Sequence, residues 1–315
     1  MIQLTIPVDH GNRNIKTDQE VFNSSIKPSS LAQHVGAKET LLYKGITYAV
    51  EIETLKYRKD KTENEEYFLL TLIAIGKYIN RAIHEGQITY EETQQEIEVT
   101  LLMGTPPEHI ASLAPKYKEY FCKNVEYTYN GTHYHINITR CFVFPQGFAA
   151  LFSSPETKKM ISNCPMAYII DIGGFTVDAL SIVDNQVETN MIRSLERGVL
   201  KMFDAINSMH NTEQGSRLRN VMIEQYMQGK ATLLGEDSKA LIEREAAKWV
   251  EQILYELREE NETDFRHVPV FFIGGGSMLL RKYIEENKSL GASYFIDDLC
   301  ANAKGYLNLF KYSGM

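Results

Sequence analysis

The sequence is poor in the features that would staple a protein together or anchor it. Its four cysteines, Cys122, Cys141, Cys164 and Cys300, are too scattered for a C-x-x-C pair or a zinc-ligand spacing. Reduced thiols in a cytosolic protein are therefore expected, and a sulfur-held metal is not. The longest apolar run, around residues 68–75, falls far short of the ~20 residues that span a bilayer. The opening MIQLTIPVDHGN has neither a basic region nor a small-residue cleavage site, so no export signal, no membrane partner and a cytoplasmic location are expected. Basic residues are in the minority, 33 Lys and Arg against 41 Asp and Glu. The formal net charge of -8 repels polyanions and argues against direct, sequence-blind DNA binding. The pattern G-x-x-x-x-G-K-[ST] is absent, and no strand is followed by G-x-G-x-x-G, so the two commonest nucleotide-binding loops are excluded.

What is present is an ordinary globular composition, 315 residues with 43% hydrophobic and 23% charged, long enough for two cores. The pattern is α/β. Strands are predicted at 3–9, 14–18, 21–24, 45–52 and 96–104, with a hairpin of 125–129 and 133–142 about Asn130-Gly131. A long helix over 65–85 carries Phe68, Leu69, Leu72, Ile75, Ile79 and Ile83 on one stripe and ends at Gly86. Another helix starts near Glu108, with Tyr117, Tyr120 and Phe121 expected in the core. The charged run 56–63 has no period and reads as a solvated loop. Ser153-Ser154-Pro155-Glu156 marks a boundary, giving domains 1–155 and 156–298, with a terminal helix over about 299–315 returning to the first. In the second domain strands are expected at 166–171, 175–183, 186–194, 268–274 and near Tyr294. Helices are expected at 196–209, 214–227, 237–260, where Trp249 should pack, and from Ser277 onward. His133 and His135 share one strand face and read as a partly exposed hairpin surface.

The informative feature is a repeat. Asp9-His10-Gly11-Asn12-Arg13-Asn14-Ile15-Lys16 and Asp171-Ile172-Gly173-Gly174-Phe175-Thr176-Val177-Asp178 each end an apolar strand with Asp, place Gly two residues later and resume a strand with a charged residue seven after the Asp. They lie about one domain length apart. One Asp-x-Gly is merely a hairpin turn; two at this spacing suggest a duplicated fold whose turns face each other. Glycine lets backbone N–H groups approach a phosphate chain with no Cβ in the way. Asp9 and Asp171 can hold a hydrated Mg²⁺, which needs few direct protein ligands, and Lys16 adds a point charge for phosphate oxygens. A third segment, Ile273-Gly274-Gly275-Gly276-Ser277-Met278, runs from a strand through three glycines into a helix, where a flat base or ribose could approach.

These residues resemble the ATPase superfamily that unites actin, the large heat-shock chaperones and the sugar kinases. Asp9–Lys16 is similar to its first phosphate motif, Phe144-Pro145-Gln146-Gly147-Phe148-Ala149-Ala150 to its first connecting motif and Asp171–Thr176 to its second phosphate motif. Ile273–Ser277 is similar to the adenosine motif and Asn302-Ala303-Lys304-Gly305 to the second connecting motif. The length and the Asp-x-Gly-x-x-Asn-x-Lys opening most resemble the bacterial plasmid-segregation actins of the ParM/StbA type.

The resemblance implies an actin-like duplicated fold, two domains each with a mixed sheet flanked by helices, and a nucleotide in the interdomain cleft. It implies a slow ATPase, with ATP or GTP as substrate and Mg²⁺ as cofactor, that polymerises with itself and moves plasmids. Centromere DNA would be reached only indirectly, through a small adaptor of the ParR type.

Carried onto matching positions, Asp9 and Asp171 hold the Mg²⁺ waters, Asp171 also serving catalysis, and Gln146 orients the attacking water where related segregation actins often have Glu. Gly11, Asn12, Arg13, Asn14, Lys16, Gly173, Gly174, Phe175 and Thr176 surround the phosphates. Gly198 admits a helix to the nucleotide, while Gly274, Gly275, Gly276, Ser277 and Met278 approach the adenosine. Asp178 either reaches the metal shell or ends its turn. Met278 lies under the base or in the core, and Glu224 and Lys230 are candidate ribose or base contacts. The alternative function is a small-molecule kinase of the same superfamily, acting on a sugar or carboxylate, which would need a further carboxylate as general base.

Overall fold

A computed structural model describes residues 2–29, 39–51 and 60–314, with fifteen strands and eight α-helices among them. The chain forms two compact units, Met1–Pro155 with Leu299–Met315, and Glu156–Asp298.

The first unit is built on a nine-stranded mixed sheet. Its centre is the parallel trio β1 (Ile2–His10), β7 (Ile97–Thr105) and β9 (Thr132–Pro145). Beside β1 lie β2 (Asn14–Lys16) and β3 (Val21–Asn23). Beyond β9 come β8 (Asn124–Tyr129), β5 (Thr40–Tyr43), β6 (Ile46–Glu51) and β4 (Ser25–Pro28), all joined antiparallel.

Strand β7 is apolar on both faces because both are covered. Leu101 and Met103 join the core under α1 (Glu66–His84), while Leu102, between them, faces Ala149 and Tyr306. Helix α1 begins where the Asn64 side chain accepts the Glu66 N–H at 3.0 Å, and its Gly76 packs against the Tyr129 ring. Tyr117 and Phe121 of α2 (Ile110–Phe121) are buried in the same core, and Tyr120 is half-buried. On the opposite face, α8 (Ala301–Ser313) lies on a 3-10 turn over Ala149–Phe152. A Cβ on Gly305 would meet the Ala149 carbonyl oxygen at 1.8 Å, so only glycine permits that approach.

The second unit repeats the theme with six strands. β10 (Met166–Ile172) runs parallel to β14 (Val270–Ile273), which runs parallel to β15 (Ser293–Phe295). β10 is antiparallel to β11 (Val177–Val183), which also pairs with β12 (Gln186–Val187) and β13 (Arg193–Leu195). Ile170, Ile172 and Val177 pack with residues of α4 (Val199–Gln214), α5 (Asn220–Met227), α6 (Glu236–Asn261) and α7 (Gly274–Glu285). Each fully buried aliphatic side chain there contributes about 2 kcal/mol.

Several boundaries differ from the sequence-based expectation. A short helix, α3 (Pro155–Ser162), starts inside the turn-rich segment, because Pro at a first helical position lacks only an N–H that would have no partner. The strand expected over 186–194 is broken by a 3-10 turn at Thr189–Met191. The helix expected from residue 196 starts at Val199, after an extended Gly198, and the next one starts at Asn220 rather than 214. Helix α7 starts at Gly274, with all three glycines in its first turn. Of the run read as a solvated loop, residues 56–59 lie outside the described residues. Residues 60–63 form a turn with Glu63 exposed, and Lys61 alone departs from the expectation: it is 7% exposed, its ammonium donating to the His10 carbonyl and lying 5.6 Å from the Tyr67 ring centre.

Candidate functional site

The two Asp-x-Gly segments are hairpins of the same register. Asp9 stands opposite Lys16 and His10 opposite Ile15; Asp171 stands opposite Asp178 and Ile172 opposite Val177. In both, the glycine two residues after the Asp sits over the carbonyl oxygen three residues further on. A Cβ on Gly11 would be 2.6 Å from Asn14 O, and one on Gly173 would be 3.3 Å from Thr176 O.

The first turn is organised by side chains. Asp9, 1% exposed, accepts from Lys16 Nζ at 3.0 Å on Oδ2 and from Gln146 Nε2 at 2.7 Å on Oδ1. Burial alone would raise its pKa. The charge and hydrogen bond of Lys16, with the charge of Lys61 and the bond from Gln146, outweigh burial and hold the carboxyl below its ordinary value. The turn's carbonyls are likewise held: His10 O by Lys61, Asn12 O by the Ser24 hydroxyl at 2.6 Å and Arg13 O by the Ser24 N–H at 3.1 Å. In a planar trans peptide the next N–H points the opposite way, so the amides of Arg13 and Asn14 turn away from Ser24. Tyr67 donates to Asn12 Oδ1 at 3.0 Å. His10 is fully buried. Its Nε2 is 2.8 Å from the Thr71 hydroxyl, which donates to Tyr67 O, so Nε2 carries the proton and the ring is neutral. Burial, then the charge of Lys61, push its pKa down to about 3.

The second turn is organised by backbone. The N–H groups of Val199, Leu200 and Gly198, at the start of α4, donate to the carbonyls of Gly173 (3.1 Å), Gly174 (2.9 Å) and Phe175 (2.9 Å). Peptide planarity therefore turns the N–H groups of Gly174, Phe175 and Thr176 away from α4 as a row, the arrangement that binds anions. A Cβ on Gly198 would lie 2.4 Å from Gly174 and Phe175 backbone atoms, so glycine is required for this seating. Asp178, in Lys16's place, accepts from Ser194 Oγ of the neighbouring strand β13 at 2.6 Å and from Thr176 Oγ1 of its own turn at 3.0 Å.

Gln146 is set by three elements of the first unit. Its N–H donates to Thr105 O at 3.0 Å, and its side chain passes over Gly104, where a Cβ would be 2.9 Å from Gln146 Cγ. The following Gly147, at φ +77°, donates to Asn302 Oδ1 at 2.9 Å, which joins the two connecting motifs. The stacked rings of Phe144 and Tyr306, 5.8 Å apart, continue that seam.

In the second unit Asp171 is level with Ile273, and its Oδ1 occupies the space a Cβ on Gly274 would need, 2.4 Å away. Gly276 packs on Ile172 and Val199. Ser277 is buried and its hydroxyl donates to Ile273 O, so it braces the helix start. Gly275 and Met278, three apart on α7, share an exposed face, with Met278 40% exposed rather than in the core. Glu224 is half-buried on α5, and Lys230 is exposed beyond its end. His135 is half-buried near Glu96 and His133 is exposed; among the described residues no group of three His, Cys, Asp or Glu could hold a metal ion.

Sequence analysis does not single out Lys61, Gly104 or Ser24. Only Gly104, a glycine inside an apolar strand, carries a local signal of close approach.

A family model described as "Actin like proteins N terminal domain" matches residues 7–148, and one for the "Archaeal actin homologue MreB-like, C-terminal" matches residues 169–286. Ta0583, an archaeal actin homolog solved in complex with ADP, is 21% identical at a TM-score of 0.72, over 99% of this chain and 100% of that one. A 15-stranded ParM filament from Clostridium botulinum gives 18% identity and a TM-score of 0.72, over 99% and 100%. The AlfA filament bound to AMPPNP gives 14% and 0.60, over 99% and 98%. No curated protein sequence matches. Among the described residues no helix is long and apolar enough to cross a membrane.

Proposed function

Because the chain belongs to the actin-like protein family, we propose that it is a nucleotide-dependent, filament-forming ATPase in which the two Asp-x-Gly turns serve one nucleotide. The observation that carries this reading is the shared register of the two hairpins, each with its carbonyls tied back and its amides turned the other way. Two rows of N–H groups suit a chain of phosphates, and ADP in Ta0583 and AMPPNP in the AlfA filament are ligands of that kind.

Lys16 provides the cation of the first turn, exchanging Asp9 for a phosphate oxygen when nucleotide arrives. Asp9 and Asp171 are hard carboxylates at equivalent strand ends. Asp9 is kept ionised by Lys16, although Lys16 and Gln146 already occupy one position on each of its oxygens. That donor set fits a Mg²⁺ ion that keeps its own waters, with Asp9 and Asp171 bonding to those waters. The ion would supply charge neutralisation between phosphates. Gln146 commits its Nε2–H to Asp9, which leaves its Oε1 to accept from a water and orient it. An amide is too weak a base to deprotonate that water, so hydrolysis is slow and times the polymer's life. Gly275 and Met278 offer bare backbone and soft apolar surface to the base.

Polymerisation follows if nucleotide favours a conformation whose head-to-tail contacts do not close. The plasmid-segregation role rests on the likeness to ParM, and the charge of -8 favours an adaptor of the ParR type for contact with DNA. The test is light scattering and pelleting of the purified chain with ATP and Mg²⁺. Assembly that needs both is expected. A chain that stays monomeric with ATP, ADP and a slowly hydrolysed analogue would overturn the proposal.

A further inference from the structure

The second phosphate turn is tied to helix α6 through a single peptide group. Trp249 of α6 donates its indole Nε1–H to the Arg197 carbonyl at 3.0 Å. The other end of that same peptide is the Gly198 N–H, which donates to the Phe175 carbonyl at 2.9 Å. The other end of the Phe175 carbonyl's peptide is the Thr176 N–H, the last of the row that turns away from α4. Three donors therefore stand in series, indole, Gly198 amide and Thr176 amide, each polarising the next.

The Arg197 side chain locks the first link. Its Nε donates to Glu256 Oε2 at 2.7 Å and its Nη2 to Glu256 Oε1, a two-pronged bond, while the guanidinium lies 5.3 Å from the Trp249 ring centre. Because Glu256 takes the charge, Arg197 is placed to hold the backbone and not to bind phosphate. Neither Arg197, Trp249 nor Glu256 falls within the phosphate, connecting or adenosine motifs.

We infer that Arg197 and Trp249 are positioning residues for the second phosphate turn, and that phosphate binding at that turn is transmitted along this series to α6. The inference rests on the proposed nucleotide site. An anion on the Thr176 amide draws charge along the series and shortens its bonds, so the indole environment changes with phosphate and not with the base.

Trp249 is the sole tryptophan of the chain, so its fluorescence reports this link without any substitution. Titration of the full chain with ADP and Mg²⁺ should give a saturable change in Trp249 emission, with a midpoint equal to the dissociation constant from calorimetry. Adenosine should bind without that change. Trp249→Phe, which keeps an aromatic ring and removes the donor, should weaken ADP about five-fold and leave adenosine unaffected.

If calorimetry shows ADP binding while Trp249 emission is unmoved and Trp249→Phe binds ADP as tightly as the parent, the link is overturned and the nucleotide site stands. Equal weakening of ADP and adenosine in Trp249→Phe would also overturn it, as mere destabilisation. If calorimetry detects no nucleotide at all, the proposed function falls and the link with it. Should Trp249→Phe not fold, the titration of the unsubstituted chain decides alone.

Discussion

The two Asp-x-Gly turns share a register and differ in what holds them. In the first, side chains do the work: Lys16 and Gln146 grip Asp9, and Lys61 and Ser24 tie back the carbonyls of His10, Asn12 and Arg13. In the second, three amides at the start of α4 tie back the carbonyls of Gly173, Gly174 and Phe175, and an acid, Asp178, stands where the first has its lysine. One hairpin geometry is thus specialised twice. The first turn carries charge, and the second presents oriented amides on a rigid helix end. The lesson is that a duplicated backbone need not duplicate its chemistry, and that the halves should fail differently when broken.

The largest effect is expected from Gly198→Val. Its side chain would collide with the Gly174 and Phe175 backbone, costing upwards of ~3 kcal/mol by thermal unfolding, and nucleotide binding should be lost with the seating of the turn.

Lys16→Met should cost about 3 kcal/mol, because it strips a buried carboxylate of its ion-pair partner. The pH dependence follows from Asp9. In the parent its folded pKa lies below the ordinary 3.8, so its stabilisation is present above that pH and is lost as pH falls through the folded value. Without Lys16, burial raises the pKa against only Lys61 and Gln146, so acid unfolding should begin at higher pH. Unchanged acid unfolding would remove the pair from the account.

If Asp171 serves a cation's waters as proposed, Asp171→Ala should lower ATP hydrolysis about 100-fold with little change in melting temperature. The smallest effect is expected from Asp178→Asn, whose Oδ1 can accept from one of the Ser194 and Thr176 hydroxyls while its Nδ2 donates to the other, with ADP affinity within about three-fold of the parent. A much larger loss would place Asp178 in the metal's surroundings and erase the distinction between the turns.

The repeat itself is legible in sequence because a strand end, an Asp and a glycine two residues on are local. So is the mixed-sheet architecture, through the apolar strands and the stripe of α1. What escapes is whatever depends on distant packing. Lys61 sits in a run whose charge suggests solvent, yet the His10 carbonyl, far back along the chain, and the nearby Tyr67 ring draw it inside. The three glycines of α7 suggest a loop, but they form the helix's first turn, with Gly274 seated closely on Asp171 and Ile172 and Gly276 on Ile172 and Val199. Arg197 is invisible because its partner Glu256 lies on a later helix. The Ser277 hydroxyl, whose motif suggests ligand contact, donates to Ile273 O at the end of β14, a bond that sequence does not announce.

Calorimetric titration of ADP with Mg²⁺ into the parent, Lys16→Met and Asp171→Ala chains decides whether the two turns act on one nucleotide. One nucleotide per chain is expected, with both substitutions weakening that same binding event. Two independent binding events, or full-strength binding after either substitution, would contradict that expectation.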